Sequence, residues 1–353
     1  MLSASGLTKH YADLKAVKGV DFEVQEGEFI TIVGPSGCGK STLLRMLAGH
    51  LEPTGGSIVL NGRDITHTPP QRRPMSLVFQ SWALFPHMTV EDNIRFPIDV
   101  RGDSQPGRVE ELLELVQLDP HEHREKKPSQ LSMGQQQRVA LARSLAYEPE
   151  ILLLDEPLAS LDYLLQKQLQ RDLADLNEEL GTTFIYVTHS LETALLMSDR
   201  VFVIQSGEIL QRGSPQAIYR KPVNSFVAEF MGDSNNIEIT DVEEENGQVR
   251  IFTPEFDGLV SRPDHVDSMD ELVIRYDDGL VRSDLNGNPG FEVSVKNILS
   301  KGNRMLIEAD SVHTGREYVA DMTVEAARAE NLEKGQHVYF QWEPERAIFV
   351  PEA

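Results

Sequence analysis

The sequence predicts an α/β domain, a mostly parallel sheet covered by helices, followed by a smaller all-β domain. Three observations predict it. Short apolar, β-branched runs alternate with amphipathic helical patterns up to about residue 235. A glycine-rich stretch, GPSGCGKST at 34–42, joins one such run to a helical pattern. After about residue 236 the helical periodicity mostly disappears, and short alternating stretches are punctuated by Gly, Asn, Asp and Pro.

The runs FITIVG at 29–34, SLVFQ at 76–80, ILLLDE at 151–156 and FIYVTH at 184–189 read as buried strands. Between them lie amphipathic helices. One carries Val109, Leu112, Leu113 and Val116 on one face and Glu110, Glu111 and Glu114 on the other. RVFVIQSGEILQRG at 200–213 reads as a hairpin around Ser206-Gly207 at the edge of this core. In the second part, GQVRIFT, GFEVSVKNIL, RMLIEAD and HVYFQWE read as strands of a small antiparallel sandwich or barrel. The acidic run Glu243–Glu245 beside Asn246-Gly247 reads as a solvated loop. The expected division is 1–235 and 236–353.

At 353 residues, 40% hydrophobic and 25% charged, the chain exceeds one ordinary core and has the composition of a soluble globular protein. The start, MLSASGLTKHY, shows no charged-then-apolar run, and no apolar stretch approaches the ~18–20 residues of a membrane span, so a cytosolic chain is expected. The lone cysteine, Cys38, leaves no internal disulfide and argues against a cysteine-based metal site. Net charge is −23, and from residue 233 onward 26 acidic residues face 11 basic ones. A surface that neutralises nucleic-acid phosphates needs the opposite sign, so no nucleic-acid partner is expected, and the acidity is read as solubility.

Gly34 to Ser41 match G-x-x-x-x-G-K-S, with a strand before and a helix starting near Lys40. Gly37 and Gly39 let the backbone curl so that its N–H groups face phosphate oxygens, Lys40 supplies positive charge, and the Ser41 hydroxyl suits Mg²⁺. An isolated glycine-rich turn is often only a turn; the flanking strand and helix make this one a nucleotide cradle. Asp155 and Glu156 stand at the carboxyl end of an apolar strand, where a parallel sheet borders the phosphate loop. Asp155 then acts on Mg²⁺ and Glu156 takes a proton from the attacking water; the bland alternative is a turn cap. His189 and Gln80 end two further strands, in positions for a phosphate-facing group and for a contact to metal or water. A second small turn, Ser132-Met133-Gly134, precedes a helix carrying Val139, Leu141, Ala142, Leu145 and Ala146, and its free N–H groups also suit an anion.

Taken together these residues resemble the ATPase subunits of ABC transporters, over residues 1–235. The resemblance comprises the phosphate loop Gly34, Pro35, Ser36, Gly37, Cys38, Gly39, Lys40, Ser41 and Thr42, the glutamine loop at Gln80, the signature Leu131–Gln135, ILLLDE at 151–156, SLD at 160–162 and the switch histidine His189. Tyr11, 23 positions before Gly34, matches the aromatic on which the family stacks adenine. The resemblance implies a phosphate-loop fold with a helical subdomain at about 85–145, and ATP with Mg²⁺ as cofactors, the metal held by Ser41, Gln80 and Asp155. It also implies two subunits paired head to tail, so that Ser132, Gly134 and Gln135 of one close over the nucleotide on the other, with Asp162 at the seam. That explains two phosphate cradles in one domain.

Residues from about 236 resemble, more loosely, the OB-fold-type accessory region of binding-protein-dependent importers, and FMGDSNN is similar to its entry in polyamine and ferric-iron importers. Two departures stand out. Met133 replaces the usual Gly of the signature, tolerable if its backbone keeps negative φ and its side chain finds room. IRYDDG at 274–279 replaces the usual Arg-Pro-Glu pattern. The implied function is an ATPase at the cytoplasmic face of the membrane, attached through permease subunits and served indirectly by a solute-binding protein. Its partner is a second copy or a homologous subunit. The segment SWALFPHMTVEDNIRF after Gln80, with Trp82, Leu84, Phe85 and Met88, is expected to supply the docking groove. Polyamine is the favoured cargo, with ferric iron, sulfate, phosphonate and sugar open. A soluble ATPase acting on nucleic acid or ribosomes, an exporter ATPase, and a tail that senses a small regulator are the other readings.

Overall fold

The structure is a computed structural model, and it describes residues 1–102, 105–159, 161–245, 248–260 and 268–352. Contacts divide the chain into Met1–Pro215 and Gln216–Ala353. In chain order the first unit runs β1 (Leu2–Tyr11), β2 (Leu14–Val24), β3 (Phe29–Val33), α1 (Lys40–Leu47), β4 (Gly55–Leu60), β5 (Arg63–Asp64), β6 (Met75–Val78), α2 (Val90–Arg101), α3 (Arg108–Leu115), α4 (Pro120–His123), α5 (Met133–Leu145), β7 (Ile151–Asp155), α6 (Tyr163–Leu180), β8 (Thr183–Thr188), α7 (Leu191–Met197), β9 (Arg200–Gln205) and β10 (Glu208–Gly213).

A six-stranded sheet of order β10-β9-β3-β8-β7-β6 forms its middle layer. β6, β7, β8, β3 and β9 pair in parallel, and β10 closes the edge antiparallel to β9. Every residue of β3, β7 and β8 is buried, as expected for strands covered on both faces. Their side chains alternate between two cores. Ile30, Ile32, Leu153, Ile185 and Val187 join Leu43, Leu44, Met46 and Leu47 of α1 and the apolar face of β1, β2 and β4. Phe29, Leu152, Leu154, Phe184 and Tyr186 join α2, α3, α5 and α6. The sheet is therefore wedged between a second, antiparallel sheet of order β2-β1-β4-β5 and a layer of helices.

That second sheet is absent from the sequence-based expectation. β1 pairs β2 with register breaks after Ala4, Leu7 and Lys9, and such bulges erase the strict alternation that marks a strand. SLVFQ ends earlier than expected, at Val78, leaving Gln80 exposed in the turn beyond. Buried Arg73 is a second unforeseen feature. Its guanidinium donates to the carbonyls of Met46, Leu47, Thr66 and Thr68, satisfying the end of α1 that has no N–H partner.

The second unit contains α8 (Pro215–Arg220), α9 (Ser225–Phe230), β11 (Ser234–Glu238), β12 (Asp241–Glu245), β13 (Gln248–Phe252), β14 (Asp257–Val260), β15 (Glu271–Arg275), β16 (Gly279–Arg282), β17 (Gly290–Ser300), β18 (Arg304–Ser311), β19 (Glu317–Thr323), α10 (Val324–Ala329), β20 (His337–Trp342) and β21 (Ile348–Val350). Its three sheets have the orders β11-β15-β21, β12-β13-β14 and β16-β20-β17-β18-β19, all antiparallel. Phe291, Tyr318, Phe340 and Trp342 pack at centroid distances of 4.7–6.3 Å in the core. Buried Glu255 accepts the hydroxyls of Ser311, Thr314 and Tyr318.

Two expectations are corrected. Glu243–Glu245 is no loop: it belongs to β12, with Glu243 opposite Arg250 and Glu244 opposite Val249, while Asn246-Gly247 lies outside the described residues. The division falls at Pro215/Gln216 and not at 235/236, because α8 and α9 are fastened to β15. Fully buried Arg275 donates to the carbonyls of Tyr219, Ala228 and Gly232, with its guanidinium 4.4 Å from the Tyr219 ring. Replacing Arg275 by Met leaves three carbonyls without donors, and at about 1 kcal/mol or more each the unit should lose about 3 kcal/mol. Hydrogen exchange of the α8, α9 and β15 amides should accelerate accordingly, and unchanged protection would contradict this account.

Candidate functional site

Register builds the site. Val33 pairs with Thr188, Asp155 with Val187, and Val78 with Leu154. The residues that follow β3, β8 and β7, Gly34, His189 and Glu156, therefore leave the sheet side by side at the carboxyl ends of the strands, and Gln80 lies two residues beyond the end of neighbouring β6.

The loop 34–42 takes its shape from its glycines. A Cβ on Gly34 would lie 2.1 Å from the Ile204 carbonyl oxygen, and one on Gly39 (φ 108°) 2.4 Å from that of Ala16. Gly37, at φ 79°, has open space around it and needs glycine for its backbone alone. Helix α1 opens on Gly39 with no side-chain cap and no acidic residue in its first turn, so its first N–H groups and dipole are left for an anion. Lys40, buried, donates to the carbonyls of Gly34 and Pro35 at 2.8 and 2.9 Å. Burial pushes the Cys38 thiol up, against the pull of Lys40 beside it.

Ser41 Oγ donates to Asp155 Oδ1 at 2.8 Å, joining the first turn of α1 to the end of β7. One residue on, Glu156 holds φ 45° although it carries a side chain and precedes a proline, two reasons for its backbone to avoid this region. Its N–H bonds the Val187 carbonyl, and its carboxylate accepts from His189 Nδ1 at 3.1 Å. Below it, burial and the Glu156 charge drive the Tyr186 hydroxyl far above its ordinary pKa, so that ring stays neutral. Tyr11, at the end of β1, is half exposed with Lys9 Nζ 5.4 Å from its ring centroid.

The turn at 131–135 lies elsewhere. Ser132 caps α5 in a reciprocal box, its Oγ accepting from the Gln135 N–H and Gln135 Oε1 accepting from the Ser132 N–H. Gln135 Nε2 meets His123 Nε2 at 3.2 Å, and a Cβ on Gly134 would press Leu165 at 3.0 Å. Among the described residues no hydrogen bond joins this turn to the loop at 34–42. Met133 is the first residue of α5 and is 47% exposed, so both conditions for tolerating it are met. Asp162 caps α6 by accepting from the Leu165 N–H; Ser160, two residues earlier, lies outside the described residues.

Of the four groove residues expected in the segment after Gln80, only Phe85 lines the cleft found there; Leu84 packs against the core under the helices, and Met88 is not among the lining residues. Trp82 does not line a groove; it is buried, with its indole N–H on the Pro157 carbonyl. Phe85 does face a cleft of about 500 Å³, together with Phe79, Phe96, Pro97, Arg143 and Tyr147. Arg143 was not foreseen, since nothing in its sequence context separates it from other helical arginines.

Parallel strands, a glycine loop feeding a helix, and an acid pair at the next strand but one define a phosphate-loop nucleoside triphosphatase. Residues 17–159 match the family described as ABC transporter. A spermidine/putrescine import ATP-binding protein of Roseobacter denitrificans is 42% identical over 350 residues, 97% of this chain and 93% of its own. The Thermotoga maritima protein of the same description is 46% identical over 249 residues, 69% of this chain and 67% of its own. A dimeric solved structure of the ATP-binding cassette MJ0796 with ADP and Pi is 33% identical, with TM-score 0.54 over 61% of this chain and 98% of that one. The chain belongs to the ABC transporter family, as an ATP-binding, ATP-hydrolysing member.

Gly39→Ala tests the loop. Its Cβ cannot be placed without displacing Ala16, and the loss of loop shape should weaken ATP binding by about 100-fold, roughly 2.7 kcal/mol. Equilibrium binding of a fluorescent ATP analogue reads this, and undiminished affinity would contradict the assigned geometry.

Proposed function

We propose that this chain is the ATPase subunit of a polyamine importer, working as a head-to-tail pair at the cytoplasmic face of the membrane. The observation that carries the reading is the continuous edge formed by Gly34, Glu156 and His189, with Ser41 bonded to Asp155. The names of the relatives favour spermidine and putrescine over iron, sulfate, phosphonate or sugar.

In this reading Tyr11 stacks the adenine, while the backbone N–H groups of residues 34–42 and Lys40 bind the phosphates. The hydroxyl of Ser41, the carboxylate of Asp155 and the amide oxygen of Gln80 form an all-oxygen donor set suited to Mg²⁺. The contact between the first two brings them to one point. The metal, when bound, neutralises phosphate charge. Glu156 receives a proton from the attacking water, and His189 orients that carboxylate from Nδ1. A second copy supplies Ser132, Gly134 and Gln135 over the phosphates. Among the described residues their turn makes no hydrogen bond to the loop at 34–42 of its own chain, and Asp162 lies at the seam. ATP touches both halves only when they close, so closure is a ligand-driven population shift.

The apolar cleft with Phe85 and Phe96 receives the permease, and the solute-binding protein acts through that permease alone. The β-rich unit serves as an OB-fold-type accessory domain.

Glu156→Gln should keep nucleotide binding, lose turnover by about 10³-fold and accumulate as a dimer with MgATP, read by light scattering. A variant that stays monomeric at saturating MgATP would overturn the paired mechanism. Phe96→Asp, in the cleft, should abolish transport in the assembled complex while ATP hydrolysis by the free subunit continues. Undisturbed transport would rule this cleft out as the docking site.

A further inference from the structure

Three side-chain-bearing residues near the reacting edge hold left-handed backbone: Trp82 (φ 58°), Ala83 (φ 46°) and Glu156 (φ 45°). Each costs of order 1–2 kcal/mol and persists only where its surroundings impose it. The surroundings here are specific. Arg143 Nη2 and Nη1 donate to the Trp82 and Ala83 carbonyls, both at 2.8 Å, and its guanidinium lies 5.3 Å from the Phe85 ring centroid. Buried Asn93 accepts the Phe85 N–H and donates back to its carbonyl. Trp82 Nε1 then crosses to the Pro157 carbonyl at 3.1 Å. The two strained turns are thus tied to each other by one hydrogen bond between buried groups.

We infer that Trp82 is a positioning residue for hydrolysis: its indole N–H, held by Pro157, fixes the strained turn that aims the Glu156 carboxylate. Space-filling alone does not account for the arrangement. An apolar ring would fill the same volume, whereas the N–H reaches the residue next to Glu156. Proline adds stiffness, since its ring fixes φ, one of the two torsions that separate its carbonyl from Glu156. Gln80 and Phe85 flank the same clamped segment, so the turn that carries the glutamine moves with the turn that carries the acid. The inference rests on Glu156 being the proton acceptor.

The test uses the full chain with benzothienylalanine at position 82, where sulfur replaces the indole N–H and the ring shape is kept. Trp82→Phe and Glu156→Gln are measured beside it, and thermal unfolding verifies that each variant folds. Loss of the clasp should lower kcat for ATP hydrolysis by about 10- to 100-fold, the cost of a small misplacement of a reacting group, with KM for ATP unchanged. A residue that only packs would leave kcat intact in the benzothienyl variant, or would shift kcat and KM together; either result overturns the inference. An inactive Glu156→Gln chain beside a fully active position-82 variant overturns it alone. A Glu156→Gln chain that still turns over overturns the reading of the site beneath it.

Discussion

The pairing register of three fully buried parallel strands is the constraint on which the molecule's chemistry depends. β3, β7 and β8 each bury every side chain, alternate residues entering the core under α1 and the core under the helices. A slip of one residue would exchange those two sets, Ile30 for Phe29 or Leu153 for Leu154, in cores packed around different partners. Packing therefore locks the register, and the register places Gly34, Glu156 and His189 side by side. The groups proposed to react need no attraction for one another to be assembled.

Beyond the strand ends the backbone departs from what its residues prefer, and each departure has an identifiable restraint. Gly37 and Gly39 adopt positive φ at little steric cost, but Glu156, Trp82 and Ala83 do not. The first is anchored by its N–H to Val187, the other two by the fork of Arg143. Strain gathered beside the proposed phosphate site fits the proposed chemistry, since a preorganised site completes its reorganisation during folding. Arginine guanidinium groups recur as the means, Arg73 and Arg275 fully buried and Arg143 partly so. Arg73 closes the end of α1, Arg143 clamps the segment after Gln80, and Arg275 fastens α8 and α9 to the second unit.

Much of this was legible in the sequence, for local reasons. Phosphate chemistry requires glycines, a lysine and a hydroxyl at fixed spacing, and burial on both faces requires uninterrupted apolar runs; both show in FITIVG, ILLLDE and FIYVTH. What was not legible depends on distant partners. Bulges in β1 destroy its alternation, so its sheet left no pattern to read. Glu243–Glu245 carries the composition of a loop and forms a strand because Val249 and Arg250 pair with it. Trp82 reads as an exposed apolar anchor until Pro157 is found against its N–H. The boundary between units is hidden because the residue that sets it, Arg275, sits some fifty positions downstream of the helices it holds.

In the proposed mechanism one chain carries two halves of two different sites, a cradle for its own nucleotide and a closing turn for its partner's. Mixing two crippled chains tests this most directly. A Lys40→Ala chain retains the turn at 131–135, and a Ser132→Arg chain retains the loop at 34–42. Neither should pair with itself in MgATP, while an equimolar mixture should form heterodimers, each with one intact composite site, detectable by sedimentation. A mixture that sediments as its separate components do, or a Ser132→Arg chain that pairs as well as the unaltered protein, would contradict the account.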